Sequence, residues 1–428
     1  MEIRNWSGSV CFRPRQVLAP ASLGELRQLV RSHPRGGARI RAMGARHSFT
    51  PLIETPDTLL SLASLAGLSE VDAEACVWTG AGTGLRALGE ALLKAGRAQE
   101  NLGDINAQSL AGAVSTGTHG TGLRFGSVST QAEALEIVGA DGEPRLARRG
   151  DELFDAAGVS LGALGLLARV RLRTVPAYKL RVRQFVEPLD EALAKFEARN
   201  REHRHFEFFW FPYTDAALSK LSDETPDAPN ANAARDWFND VLVENVAFEL
   251  FHRVALAGWA DAPTINRLIV KLARSAASKE KVDWSARAFS THRLSRFQES
   301  EWGLPLEALP EFFPRLRRLC EENKYPSTFP VEVRAVRADD FWLSPAYKRD
   351  TVFVAAHMYH RLPRDPYFAD FRRLCLEFGG RPHWGKLHGL GPGDFAALYP
   401  RWDDFLALRR ELDPDGLFNV PSVFGENP

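Results

Sequence analysis

The eleven residues from Gly112 to Gly122 read Gly-Ala-Val-Ser-Thr-Gly-Thr-His-Gly-Thr-Gly, with four glycines and four small hydroxyl residues. A stretch with so little side-chain bulk cannot build a core element by itself. Its backbone N–H groups can approach a ligand closely, and pyrophosphate oxygens are the acceptors that such donors suit. A second segment, Gly44-Ala45-Arg46-His47-Ser48-Phe49, sets a histidine among small neighbours just beyond a short strand predicted at 39–43. Either segment alone reads equally well as a structural turn. Together, in one domain, they point to a dinucleotide held without a Rossmann fold.

A nicotinamide fingerprint is the obvious rival, because Gly80, Gly82 and Gly84 lie between a predicted strand at 76–79 and a predicted helix. Read from Gly80, G-x-G-x-x-G meets Leu85 at its third glycine. Read from Gly82, it ends on Ala87. Asp104 follows at a fitting distance, but the polar stretch 96–101 makes a poor second strand.

Around these loops the patterning is that of an α+β chain. Leu85, Leu88 and Leu92 recur at helical spacing before a stop at Gly96. Strands are expected at 135–138 and after Gly142, joined by Asp141-Gly142, and at 168–174, where Val170 and Leu172 alternate with arginines. The middle of the chain predicts a helix over 189–199, then an aromatic run from Phe206 to Tyr213 that suits a sheet core. A loop is expected over 225–234 and helices around 237–257 and 262–277. The last part predicts strands at 331–336 and 352–356 and a helix at 367–378. At 428 residues the chain is long enough for two or three domains.

Charge and cysteine usage exclude several partners. Lys+Arg and Asp+Glu both total 54, so there is no basic excess with which to hold nucleic acid. No apolar run reaches the roughly 18 residues of a membrane helix, and the N-terminus lacks a signal-peptide core. Cys11, Cys76, Cys320 and Cys375 are widely spread without a CxxC pair. They read as small buried hydrophobes of a soluble, cytoplasmic protein. His357 and His360, or His383 and His388, lack a completing ligand set, and no HExxH is present, so no metal is expected.

Ionisable groups gather near the C-terminus. Glu332 and Arg334 are two apart on an alternating strand and therefore share a face. His357 and Tyr359 do the same in the next strand. His383-Trp384-Gly385-Lys386 falls in a tail where lysine is scarce, since only ten of the 54 basic residues are lysines.

These segments resemble the FAD-linked aldonolactone and alditol oxidoreductases of the vanillyl-alcohol-oxidase type. The resemblance rests on GARHSF (44–49), STGTHGTG (115–122), SLGALG (160–165), EVR (332–334), WLSPAYxRDT (342–351), RPHWGK (381–386) and LDPxGxF (412–418). It implies an FAD-binding domain of two α+β subdomains over 1–175. Residues 176–428 would form an α+β substrate-binding cap whose C-terminal segment returns to the flavin. His47 is implied as the covalent attachment point for FAD, with Gly44, Ala45, Arg46 and Ser48 beside it. The long loop would add Ala111, Gly112, Ala113, Ser115, Thr116, Gly117, Thr118, His119, Gly120 and Gly122, and Gly165 would complete the cradle.

By the same resemblance Arg334 binds the oxygen next to the reacting carbon, and Glu332 orients it and accepts a substrate hydroxyl. Lys386 either steadies the reduced flavin or assists removal of the hydroxyl proton. His357, Tyr359 and His383 would line the pocket. The implied reaction takes L-gulono-1,4-lactone or D-arabinono-1,4-lactone to an ascorbate-like product, with oxygen or another compound as electron acceptor. Oxidation of an alditol such as xylitol or sorbitol to an aldose and hydrogen peroxide is the nearest alternative. An FAD-containing sugar-acid binder without turnover is the alternative of another class.

Overall fold

Strand alternation builds two main sheets in the first part of the chain, beside two-stranded pairings of Ile3–Arg4 with Cys11–Phe12 and of Arg97–Ala98 with Val175–Pro176. In Leu166–Arg173, Val170 and Leu172 are buried while Arg169 is exposed. That strand lies between Cys76–Gly80 and Ala132–Val138, and Pro144–Arg148 closes a four-stranded antiparallel sheet. The turn at Asp141-Gly142 falls where expected, with Gly142 at φ 76. Gln16–Leu18, Thr58–Ser61 and Ile40–Met43 form a separate parallel sheet. The helix Leu85–Lys94 buries Leu85, Leu88 and Leu92. Close packing explains the glycines before it. A Cβ at Gly80 would come within 2.3 Å of the Leu65 carbonyl oxygen, and one at Gly82 within 1.9 Å of that of Leu62.

The computed structural model describes residues 1–230, 247–258, 260–275, 279–290 and 295–426. Eight strands within 179–382 form one antiparallel sheet. Its order is Lys279–Trp284, Lys179–Pro188, Ala216–Glu224, His205–Trp210, Val331–Val336, Thr351–Tyr359, Phe297–Pro305 and Arg381–Pro382. Period-two alternation gives it two unlike faces. Phe206, Phe208, Trp210, Val331, Val333, Val352 and Val354 share a core with residues of helices Leu309–Asn323 and Asp365–Glu377. The intervening residues, Glu207, Glu332, Arg334, Phe353 and His357, point to the other face.

Several local expectations need adjusting. The helix over 189–199 is two helices, Leu189–Ala194 and Phe196–Glu202, because the chain leaves helical geometry at Lys195. The break turns Phe196 onto Phe206 and Phe208, with ring centroids 5.8 and 5.7 Å away. In the loop expected at 225–234, residues 225–230 carry no regular element and are mostly exposed, and the remainder lies outside the described residues. The next helix is described as Ala247–Leu256, and its expected portion before residue 247 lies outside them too. Cys11 is exposed, unlike the other three cysteines. Among the described residues, no helix is long and apolar enough to cross a membrane.

The end of the chain packs on its beginning. Trp384, Phe395, Tyr399, Trp402 and Phe405 join one core with Leu85, Leu88, Leu135 and Val170. Leu417 and Phe418 enter another with Leu26, Val30, Ile40 and Leu60. Burying each such side chain contributes roughly 1.5–3 kcal/mol. The turn that delivers Phe418 is closed by Asp413, whose carboxylate accepts the N–H groups of Leu417 (2.8 Å) and Phe418 (2.7 Å).

Candidate active site

A long cleft runs through the first part of the chain, walled largely by small residues. Gly44, Ala45, Arg46, His47 and Ser48 line it from one segment, and Ala111, Gly112, Ser115 and Thr116 from another. Gly162 and Gly165 add a third edge. Small walls expose backbone amides, and Ser48, Ser61, Ser109, Ser115 and Thr116 add hydroxyls. This donor set fits the pyrophosphate and flavin of FAD. Arg46 turns the chain with φ 60, and its carbonyl accepts the Trp6 N–H at 2.9 Å. His47 stacks on Trp6 with centroids 6.0 Å apart. Burial, then the charge of Lys386, lowers the His47 imidazole below its ordinary value, so it is neutral at pH 7.

The glycine-rich loop serves two regions. Of the residues expected at the cofactor, Ala113, Gly117, Thr118, His119, Gly120 and Gly122 do not line this cleft. Ala113 is fully buried in the core, because the helix Leu110–Ser115 turns it inward. Beyond it the loop crosses to the large sheet. Gly122 N–H donates to the Ala335 carbonyl at 2.7 Å, and Thr121 Oγ1 donates to the Phe206 carbonyl at 2.6 Å. His119 is carried with it and stacks on Phe353, centroids 3.7 Å apart.

On the sheet face that meets this loop, Arg334 is the centre of an ion cluster. Its guanidinium donates to Glu301 at 2.6 Å, and its Nε lies 3.5 Å from Glu332 Oε1. His119 Nε2 approaches Glu301 at 3.3 Å, while its Nδ1–H donates to the Gly120 carbonyl at 2.9 Å. Burial alone would raise the Glu301 carboxyl. Arg334, His119 and Lys386 together outweigh it and hold this group well below the usual carboxylate range. Glu332 goes the other way. Burial, reinforced by Asp104, Glu207 and Glu299, raises it to about 8 against the pull of Arg334. Glu332 is therefore largely protonated at neutral pH, a donor as much as an acceptor.

Lys386 reaches the cluster from the tail. Its ammonium is paired with Glu299 and lies 5.3 Å over the Phe49 ring. The tail is stitched to the His47 segment by Phe49 N–H donating to the Gly385 carbonyl (2.7 Å) and Thr50 Oγ1 to that of Trp384 (2.7 Å). Lys386, far away in sequence, is thus brought to Glu332 and Arg334 beside the cleft. His383 lies in the same cluster. Its Nδ1 accepts the Gly385 N–H at 3.0 Å, and burial lowers it to about 3, so it stays neutral. His357 Nε2 is 3.7 Å from Glu299, and its Nδ1–H donates to the Pro330 carbonyl. Tyr359 is turned to Glu249, to which its hydroxyl donates at 2.8 Å, and does not join the arginine cluster.

Sequence reasoning missed Glu299 and Glu301, which hold Lys386 and Arg334. Their two-residue spacing in Phe297–Pro305 was the available signal, the same one that paired Glu332 with Arg334. It also missed Glu207, placed within an aromatic run, and Lys220.

A family model described as D-arabinono-1,4-lactone oxidase matches residues 170–423, and one described as an FAD binding domain matches residues 14–146. The L-gulono-1,4-lactone dehydrogenase of Mycobacterium tuberculosis is 34% identical over 415 residues, covering 97% of this chain and 96% of that one. The L-gulonolactone oxidase of Scyliorhinus torazame is 32% identical over 425 residues, with 97% and 96% covered. Among solved structures, cholesterol oxidase from B. sterolicum superposes with a TM-score of 0.79 at 20% identity, covering 97% of this chain and 95% of that one. At that identity the likeness concerns the fold alone.

Proposed function

The chain belongs to the D-arabinono-1,4-lactone oxidase family, and we propose that it oxidises the C2 carbinol of L-gulono- or D-arabinono-1,4-lactone at the Arg334 cluster. It is an FAD-dependent aldonolactone oxidoreductase. Bound FAD supplies the electron acceptor for the hydride that leaves the carbinol carbon. The remaining work falls to the protein.

The observation that carries the assignment of roles is the buried guanidinium of Arg334. Glu301 fixes one of its edges, while its Nε has no hydrogen-bond partner within the protein. That N–H faces Glu332 at 3.5 Å without a hydrogen bond, and it is the donor assigned to the oxygen beside the reacting carbon, where it would stabilise negative charge as it develops. Glu332, protonated at rest, donates a second hydrogen bond to the lactone. Lys386, paired with Glu299, acts as a fixed positive charge near the flavin rather than as a base. The product is a keto-lactone that enolises to an ascorbate-like compound.

His47 is assigned as the covalent attachment point of FAD, supported by its place on the cleft wall and its neutral imidazole. Residues 1–175 then serve as the cofactor domain and 176–428 as the cap. Oxygen is the proposed final acceptor. The four free cysteines suit a reducing compartment such as the cytoplasm.

The deciding experiment is anaerobic mixing of the flavoprotein with aldonolactones and alditols. The lactones are expected to bleach the visible flavin band faster than xylitol or sorbitol. Loss of the band with alditols only would reverse the assignment. Acid precipitation tests the linkage: the yellow colour should stay with the wild-type pellet and pass to the supernatant for His47→Ala. Regeneration with oxygen against a dye separates oxidase from dehydrogenase.

A further inference from the structure

Asp104, Glu207 and Lys220 have no assigned contact with the substrate, though Asp104 and Glu207 help to raise Glu332 and all three adjoin it. Across paired strands Glu207 stands opposite Arg334, and Lys220 stands opposite Glu207. At about 4.8 Å per strand, the line from the Arg334 backbone to that of Lys220 covers about 10 Å. It runs away from Lys386, whose partner Glu299 lies on the other side of the Arg334 strand. Lys220 Nζ is 2.7 Å from Glu207 and 3.8 Å from Asp104. Carboxylate oxygens of Asp104, Glu207 and Glu332 all lie within 4.8 Å of one another.

A buried ion cluster is weak as a stabilising device, since desolvation offsets much of the attraction. Two further observations point to a ligand. Glu207 Oε2 is buried and has no hydrogen-bond partner within the protein. The Asp104 and Lys220 side chains stay 17% and 11% open, against 3% for Glu207, and a small cavity touches all three. The cluster offers an ammonium donor between carboxylate acceptors, and neighbouring hydroxyls, each donating and accepting, match that alternation.

We propose that Asp104, Glu207 and Lys220 form a subsite for the exocyclic hydroxyl groups of the lactone, and thereby set its preferred chain length. The inference rests on the aldonolactone reading, with Arg334 beside the reacting carbon. A six-carbon 1,4-lactone carries a two-carbon tail with two hydroxyls, and a five-carbon one carries a single hydroxymethyl. A paired ammonium and carboxylate engage two hydroxyls better than one, so the site favours the six-carbon substrate.

The test compares kcat/KM for L-gulono-1,4-lactone, D-arabinono-1,4-lactone and the tail-less 2-hydroxy-γ-butyrolactone in the FAD-loaded enzyme and its Lys220→Met and Asp104→Asn variants. A hydrogen bond to a charged group is worth about 1.5–3 kcal/mol, so the ratio of the six-carbon to the tail-less lactone should fall about tenfold or more in each variant. Calorimetric binding of 2-deoxy-gulono-1,4-lactone, which keeps the tail hydroxyls but lacks the C2 hydroxyl that is oxidised, should weaken in parallel. A ratio that moves less than twofold in Asp104→Asn, or equal losses on all three lactones, overturns the subsite. Should Lys220→Met fail to retain FAD, Asp104→Asn decides alone, because its side chain is partly open and lies outside the strands. If no lactone bleaches the wild-type flavin, the aldonolactone reading itself falls. Normal bleaching with an unmoved ratio removes only the subsite.

Discussion

Glu332 holds its proton because burial disfavours the carboxylate, and this couples stability to pH. Its folded value of about 8 stands above its ordinary 4.5. The folded chain therefore binds more protons than the unfolded chain between those values, and the group's stabilising contribution, complete below about 4.5, is lost as pH rises towards 8. Glu332→Gln removes this term. Relative to wild type, the variant is expected to be more stable at pH 8 than at pH 5, which Tm measured across that range will show. A constant difference in Tm would mean that Glu332 is ionised throughout. Glu207, also raised by burial, retains part of the slope in the variant. The buried histidines act oppositely. His205 and His383, each lowered to about 3, lose stability as pH falls below 6.5 towards that value.

Among the elements, the glycine-rich loop matters most, because one end walls the cleft and the other is bonded to the large sheet. Gly122 makes that second attachment at φ 110, and a Cβ there would lie 2.4 Å from the Arg204 carbonyl oxygen. Gly122→Ala is expected to cost about 1–3 kcal/mol in denaturant unfolding. It should slow flavin reduction by lactone more than it weakens FAD binding, since His119 and its contact with Glu301 ride on this anchor. The loop's glycines and hydroxyls were plain in the sequence, as were the strands through Val170, Phe208 and Val333 and the pairing of Glu332 with Arg334. Alternation along one strand tells which residues share a face, but not what that face meets. Glu301 and Glu207 therefore passed unnoticed. Each acquires its role from a strand far away in sequence, and neither breaks the local pattern enough to draw notice. His119 was read with the cofactor because the start of the same loop, from Ala111 to Thr116, supplies wall residues of the cleft. Only the crossing of the loop to the sheet separates it from them.

At the scale of the molecule, one buried arginine ties the tail to the cleft. Arg41 donates to the carbonyls of Leu52 (3.0 Å), Leu161 (2.6 Å) and Phe418 (2.7 Å). Burial, with Arg409 nearby, lowers it to about 10, so it keeps its charge at neutral pH. Arg41→Met leaves those carbonyls unpaired at about 1–3 kcal/mol each. The variant is expected to show a lower urea midpoint and faster proteolysis of the tail. An unchanged midpoint would show that water replaces the guanidinium at no cost. The return of the tail also sets an order of events during synthesis. The walls of the cleft come from the first 167 residues, yet the contacts steadying them arrive with Trp384, Gly385 and Phe418. A nascent chain still lacking those residues has the lining of the cleft but not its frame. Stable cofactor loading is then expected to follow the synthesis of residue 418.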